Sequence, residues 1–85
     1  MIYLDVRTKP EFDEQHVPGA IHFELARLMK GEMPAAGINA NIDIEKDTEI
    51  LVYCLSGTRA GVATQILKSN GFTKAVNAGG IGNLI

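Results

Sequence analysis

One stretch of the chain, Cys54-Leu55-Ser56-Gly57-Thr58-Arg59, brings together residue types that can do chemistry. It holds the only cysteine, small residues that let successive backbone N–H groups turn toward one point, and one fixed positive charge. A ring of such donors at a helix start binds anions without needing a basic side chain. The same field favours thiolate over thiol, and the thiolate is the nucleophile. Gly57 can take a positive φ and close the loop tightly. Arg59 can grip an oxyanion or complete the helix start. A lone cysteine ending a strand is more commonly an inert core residue, and Ser56 and Thr58 have an ordinary use as hydroxyls serving the backbone. The small-residue loop and the helix behind it raise Cys54 above that reading. Of the two hydroxyls, Thr58 is the better candidate to touch a ligand.

A strand must deliver Cys54 and a helix must carry the chain away from it. Residues 50–53 form an unbroken apolar run, which suits a strand covered on both faces of a parallel sheet. After the loop, Val62, Ala63, Ile66 and Leu67 repeat at helical spacing, and Asn70-Gly71 supplies the stop. Upstream, residues 2–6 read as a buried strand ending near Asp5. Thr8-Lys9-Pro10-Glu11 has capping-box spacing, with Thr8 as N-cap, and predicts a short helix to about Gln15. Pro18-Gly19 turns the chain into a second strand over 20–23. Leu25, Leu28 and Met29 predict an amphipathic helix over 24–30, and residues 31–47 a long surface connection. Ala75-Val76 is a last brief strand, with Gly79-Gly80 opening a terminal turn. This alternation predicts an α/β domain with a mainly parallel sheet flanked by helices. In such sheets ligand sites lie beyond the carboxyl ends of the strands, where Cys54 stands.

The 85 residues, 46% of them hydrophobic, fit a single domain spanning 1–85. One cysteine excludes an internal disulfide and any zinc site made from cysteine pairs. A formal charge of −2, with 8 Lys and Arg that form no cluster, argues against nucleic acid as a partner. No apolar run reaches the ~18 residues of a membrane span. Met1 is followed at once by strand-like Ile2-Tyr3-Leu4, with no leader pattern.

The loop Cys54-Leu55-Ser56-Gly57-Thr58-Arg59 resembles the Cys-x-x-Gly-x-Arg active loop of the rhodanese-domain sulfurtransferases. Asp5-Val6-Arg7, followed by Glu11-Phe12 and His16-Val17-Pro18-Gly19-Ala20, is similar to the family's Asp-x-Arg … Glu-Phe … Gly-His-Ile-Pro-Gly-Ala signature. Gly71-Phe72 with Ala78-Gly79-Gly80 is similar to the segment closing the domain. The small size and the Asn77-Ala78-Gly79-Gly80 ending most resemble the single-domain phage-shock type. The resemblance implies a rhodanese-like three-layer domain and a two-step transfer of sulfane sulfur. Cys54 thiolate would attack the outer sulfur of thiosulfate or another sulfane-sulfur donor, keeping that sulfur as a persulfide. Cyanide or a thiol acceptor would then remove it in a ping-pong cycle. Leu55, Ser56, Gly57, Thr58 and Arg59 would bind the substrate, while Asp5 and Arg7 would give structural support through ion pairs and hydrogen bonds. Neither metal nor organic cofactor is implied, nor a nucleic-acid or membrane partner, and the chain would act as a monomer. The likeness implies a periplasmic home if Met1 was added to a processed form, and a cytoplasmic one if Met1 is the natural start.

There are departures. Gln15 stands where the family often has Gly, and His22 replaces a frequent Asn. The loop lacks a second basic residue, which implies modest affinity for thiosulfate, and the end at Ile85 leaves little room for the terminal helix of larger relatives. His16 reads as a packing residue before the Pro-Gly turn. His22 could serve as a base, but thiolate attack on sulfur needs none. Gly79-Gly80-Ile81-Gly82 looks like half a dinucleotide fingerprint, without room for the helix that would complete it. Cysteine phosphatases and arsenate reductases use a loop one residue longer than the four residues, 55 to 58, that separate Cys54 from Arg59. A persulfide carrier module is the other alternative. All catalytic readings require a sulfur open to solvent and backbone N–H groups converging on it.

Overall fold

Among the described residues four strands and three helices alternate: β1 (Ile2–Asp5), α1 (Lys9–Glu14), β2 (Ile21–His22), α2 (Leu25–Met29), β3 (Ile50–Cys54), α3 (Thr58–Ser69) and β4 (Ala75–Gly80), closed by a 3-10 turn at Ile81–Asn83. The structure, a computed structural model, describes residues 1–34 and 44–85. The strands form one sheet in the order β2-β1-β3-β4. Every pairing is parallel, so the carboxyl ends share one edge. Asp5 is level with His22 on one side and Tyr53 on the other, and Cys54 is level with Gly80. The α/β architecture with a parallel sheet expected from the sequence is the one observed.

The apolar run of β3 is explained by burial on both sheet faces. On one face Leu4, Ile50, Val52 and Cys54 pack with Leu28 of α2, with Ala60, Ala63 and Leu67 of α3, and with Phe23 and Phe72. On the other, Tyr53 packs with Val17 and Ile81, and with Tyr3, Ala20, Ala78 and Leu84 at its margin. That second layer is therefore built from the turn after α1 and the terminal 3-10 turn. Helix α1 contributes no buried residue and sits at the carboxyl edge of the sheet.

Several elements differ from the sequence expectation. The buried stripe of α3 is Ala60, Ala63, Thr64 and Leu67, with Ile66 packed at its margin, and Val62 is left 46% exposed. Its phase is set by where the loop releases the chain, at Gly57, and small Ala60 and Ala63 allow a close approach to the sheet. Thr64 satisfies its hydroxyl by donating to the Ala60 carbonyl at 2.7 Å. Helix α2 is shorter than 24–30, with Glu24 and Lys30 as its caps, and Met29 is 68% exposed rather than in the core. Strand β4 runs four residues past Val76. Gly79 and Gly80 are thus not a turn but its last rungs, paired with Tyr53 and Cys54 after a register shift between Val52 and Tyr53. Of the expected connection over 31–47, residues 35–43 lie outside the described residues.

Candidate active site

Cys54 ends β3, and residues 55–57 turn the chain into α3, whose N-cap Gly57 has φ 101°. Only a residue without Cβ takes that conformation at little cost. The Gly57 N–H donates to Cys54 Sγ at 2.9 Å. Burial pushes the Cys54 thiol up, but hydrogen bonds from the backbone N–H groups of Ala60, Gly57, Ser56 and Arg59 more than offset it, leaving the thiol below its ordinary value. Leu55, Ser56 and Thr58 stand exposed on the rim of this cup, with Gly57 and Arg59 half-buried.

The cup is backed by β4. A Cβ on Gly80 would lie 2.4 Å from the Leu55 carbonyl oxygen and 3.3 Å from Ser56 Cα, so the strand and loop backbones meet directly. Asn77 Nδ2 donates to the Gly57 carbonyl at 3.0 Å, and its Oδ1 accepts from the Gly79 N–H at 2.8 Å. Sequence reasoning gave Asn77, Gly79 and Gly80 no part in the loop. Their signal was a glycine pair inside a strand, which marks a close backbone approach.

Arg59 does not stand free. Its two terminal nitrogens donate to the two Glu11 carboxylate oxygens, at 2.7 and 3.0 Å, tying the loop to α1. Glu11 Oε1 also accepts from the Thr8 backbone N–H at 3.1 Å and from its hydroxyl at 3.0 Å, so the capping-box residue is also the partner of the loop arginine. The Arg59 hydrogen bonds, aided by those of Thr8 and opposed by partial burial, hold the Glu11 carboxyl down at about 2. The sequence reading gave Glu11 a capping role only. Two residues 48 positions apart carry no local signal of pairing.

Asp5 and Arg7 form a buried pair, with Arg7 Nε donating to both Asp5 oxygens at 3.0 and 3.1 Å, and its NH2 donating to Oδ2 at 2.7 Å. The same guanidinium reaches the Gln15 carbonyl at the end of α1. His22 Nε2 lies 2.7 Å from the Arg7 carbonyl and His16 Nδ1 lies 2.8 Å from that of Phe12, so both rings are engaged with backbone. Tyr53 accepts from the Val17 N–H at 3.1 Å, and burial pushes its hydroxyl up to about 12.

Two cavities flank the Glu11–Arg59 fork. One, of about 250 Å³, is lined by Arg7, Glu11, Glu14, Gln15, Leu55 and Ile81. The other, of about 240 Å³, is lined by Val6, Thr8, Glu24, Leu25, Ala26, Met29 and Arg59. Cys54 lines neither and is 1% exposed, so the open sulfur expected from the sequence is not what the structure holds. The reason is its position: Cys54 points to the same sheet face as Leu4 and Val52, into the core cluster with α3, and the loop closes over it. The converging N–H groups are present; the access is not. Among the described residues no group of three or more His, Cys, Asp or Glu could hold a metal ion.

A family model, the rhodanese-like domain, matches residues 1–83. The chain is 32% identical over 79 residues to the thiosulfate sulfurtransferase PspE of Escherichia coli, covering 93% of this chain and 69% of that protein. It is 34% identical over 74 residues to a putative sulfur carrier protein, YrkF, of Bacillus subtilis, covering 87% of this chain but 35% of the relative, so it spans about a third of that protein's length. Among solved structures, the human single-domain sulfurtransferase TSTD1 superposes with a TM-score of 0.78 at 28% identity, over 93% of this chain and 74% of that one.

Proposed function

The chain belongs to the rhodanese-like domain family, and from that premise we propose that it is a sulfurtransferase with Cys54 as its nucleophile. The observation that carries the reading is the Gly57 N–H on Cys54 Sγ at 2.9 Å, with the backbone N–H groups of Ala60, Ser56 and Arg59 adding to the field that holds the thiol below its ordinary value. Fixed amides of this kind stabilise charge without reorganising during the reaction. With thiosulfate as donor, the loop over Cys54, which is 1% exposed, must first shift to uncover the sulfur. The thiolate then attacks the outer sulfur, the S–S bond breaks, and its electron pair leaves with sulfite. The persulfide keeps its negative charge within the same amides. A thiolate acceptor, or cyanide in an assay, then attacks the outer sulfur of the persulfide, and Cys54 thiolate is regenerated. Leu55, Ser56, Gly57, Thr58 and Arg59 form the wall the donor meets, and the Asp5–Arg7 pair braces the edge below.

The burial of Cys54 favours one second reading. A carrier that receives and delivers sulfur only when a partner protein opens the loop needs no freely accessible thiol. The phosphatase reading has no such observation behind it. Incubation with thiosulfate should add the mass of one sulfur atom to the intact chain, and Cys54→Ser should abolish the adduct. If the wild-type chain gains no sulfur from thiosulfate but gains it from a persulfide-bearing protein, the carrier reading replaces the enzymatic one.

A further inference from the structure

Each arginine near the loop already has a carboxylate of its own. Arg7 is bound to buried Asp5, and Arg59 is forked onto Glu11. Glu14 lines the same cavity as Glu11 and, among the described residues, forms no ion pair. The cavity beside the loop is lined by two carboxylates, Glu11 and Glu14, and by one guanidinium, Arg7, whose charge buried Asp5 matches; Arg59 lines the other cavity, so the surplus charge here is negative. Glu11 fills the end-on fork of Arg59 and offsets its charge, so an incoming oxyanion is left only the Nε–H edge of a neutralised pair.

We propose that Glu11 is a specificity-determining residue of this site, withholding the Arg59 guanidinium from the donor and thereby selecting singly charged organic sulfane-sulfur donors over doubly charged inorganic thiosulfate. The proposal rests on the sulfurtransferase reading above and deepens it. Glu11 acts through Arg59 and so is a positioning residue. Its carboxyl, held at about 2, stays ionised throughout the working range, so the fork is a fixed property of the site and not a pH switch. Glu14 adds repulsion from the same cavity. The chemistry is the same for either donor. Methanethiosulfonate loses its outer sulfur to the Cys54 thiolate as the bond to the sulfonyl sulfur breaks, and methanesulfinate leaves with the electron pair. Thiosulfate does the same and releases sulfite. The donors differ by one negative charge, and that difference isolates the selectivity.

The test measures kcat/KM for both donors with cyanide as acceptor, in the wild-type chain and in Glu11→Gln, Glu11→Asp and Glu14→Gln. Glu11→Gln should raise the ratio of thiosulfate to methanethiosulfonate efficiency about tenfold, mostly through a lower KM for thiosulfate, the scale of one charge-assisted hydrogen bond. Glu11→Asp should keep the ratio near that of wild type. Glu14→Gln, which lies outside the capping box, should raise it about twofold and carries the test if Glu11→Gln does not fold. A ratio unmoved in every folded variant overturns the proposal, because a purely structural Glu11 would alter both donors together. If wild-type Cys54 gains no sulfur from either donor while iodoacetamide still alkylates it, the sulfurtransferase reading fails, and the proposal falls with it.

Discussion

The two sides of the Cys54 loop are held by different physics. On the β4 side the loop meets backbone: Gly80 stands against the Leu55 carbonyl, and Asn77 holds the Gly57 carbonyl and the Gly79 N–H. On the α1 side it meets a six-residue helix with no buried residue. That helix is tethered by Arg59 on Glu11, by Arg7 on the Gln15 carbonyl, and by the Lys9 N–H on Glu24 at 3.2 Å, with Phe12 stacked on His16 and tilted against His22. The first side fixes where the amides point. The second fixes how much positive charge they are accompanied by. A site built this way can change its charge by substitutions on an exposed helix while the anion-holding geometry stays with the core. Elements rich in exposed hydrogen bonds and poor in buried contacts also open first.

The strongest way to break the comparison is Gly80→Ala. Its Cβ would sit 2.4 Å from a backbone oxygen, so neither group can yield by turning a side chain. Overpacking of this kind costs about 1–3 kcal/mol. The greater loss should be functional: moving Leu55 and Ser56 displaces the N–H groups around the sulfur, and persulfide formation should fall at least about a hundredfold, the scale of losing an oxyanion-hole donor. The check is intact-mass loading by thiosulfate beside a thermal melt. A folded Gly80→Ala that loads at the wild-type rate would show that β4 does not template the loop.

The sequence carried the parallel sheet, the Cys54 loop and the helix behind it, because each is written locally: an apolar run for β3, Gly57 for the turn, helical spacing for α3. The end of β4 was illegible for a physical reason. Glycine disfavours strands in general, and only the approach of Leu55 across the sheet edge makes Gly79 and Gly80 the residues that fit there. The phase of α3 was misread through Val62, since spacing alone cannot say which of two overlapping apolar stripes faces the sheet. The Glu11–Arg59 fork spans 48 positions and joins a residue already explained by helix capping to one already explained by anion binding. The burial of Cys54 was likewise out of reach, because strand alternation tells which face a residue takes and not how closely the next helix covers it.

A pH series of Cys54 alkylation by iodoacetamide sharpens the same contrast at smaller scale. The amides hold the thiol below its ordinary value, so the half-reactive pH should lie below the ~8.5 of a free cysteine. The limiting rate at high pH should stay below that of a free thiol, because the side chain is 1% exposed. Gly80→Ala should raise the midpoint toward the free value by scattering the N–H groups. Glu11→Gln should lower it, because a carboxylate is removed and Arg59 is released near the sulfur. Equal shifts of the same sign in both variants would mean that the two sides of the loop are not separable.

The smallest effect concerns the polar tether alone. Glu11 ionises at about 2 in the folded chain, against about 4.5 for an unperturbed glutamate, so its depressed value marks stability that is present above the ordinary value. That stability is lost as pH falls from about 4.5 toward 2, when the unfolded chain takes up the proton first. The Glu11 and Arg59 side chains are 29% and 34% exposed, so water screens the pair and the contribution should stay below about 1 kcal/mol. For a domain of this size that is a change in Tm of up to about 8 °C. Thermal melts at pH 5 and pH 2.5 should therefore show the wild-type chain losing a few degrees more than Glu11→Gln, whose side chain has no carboxyl to titrate. A difference between the two chains that stays constant across that interval would mean that the fork adds nothing to the docking of α1, and that the helix is held by Arg7, Lys9 and Phe12 alone.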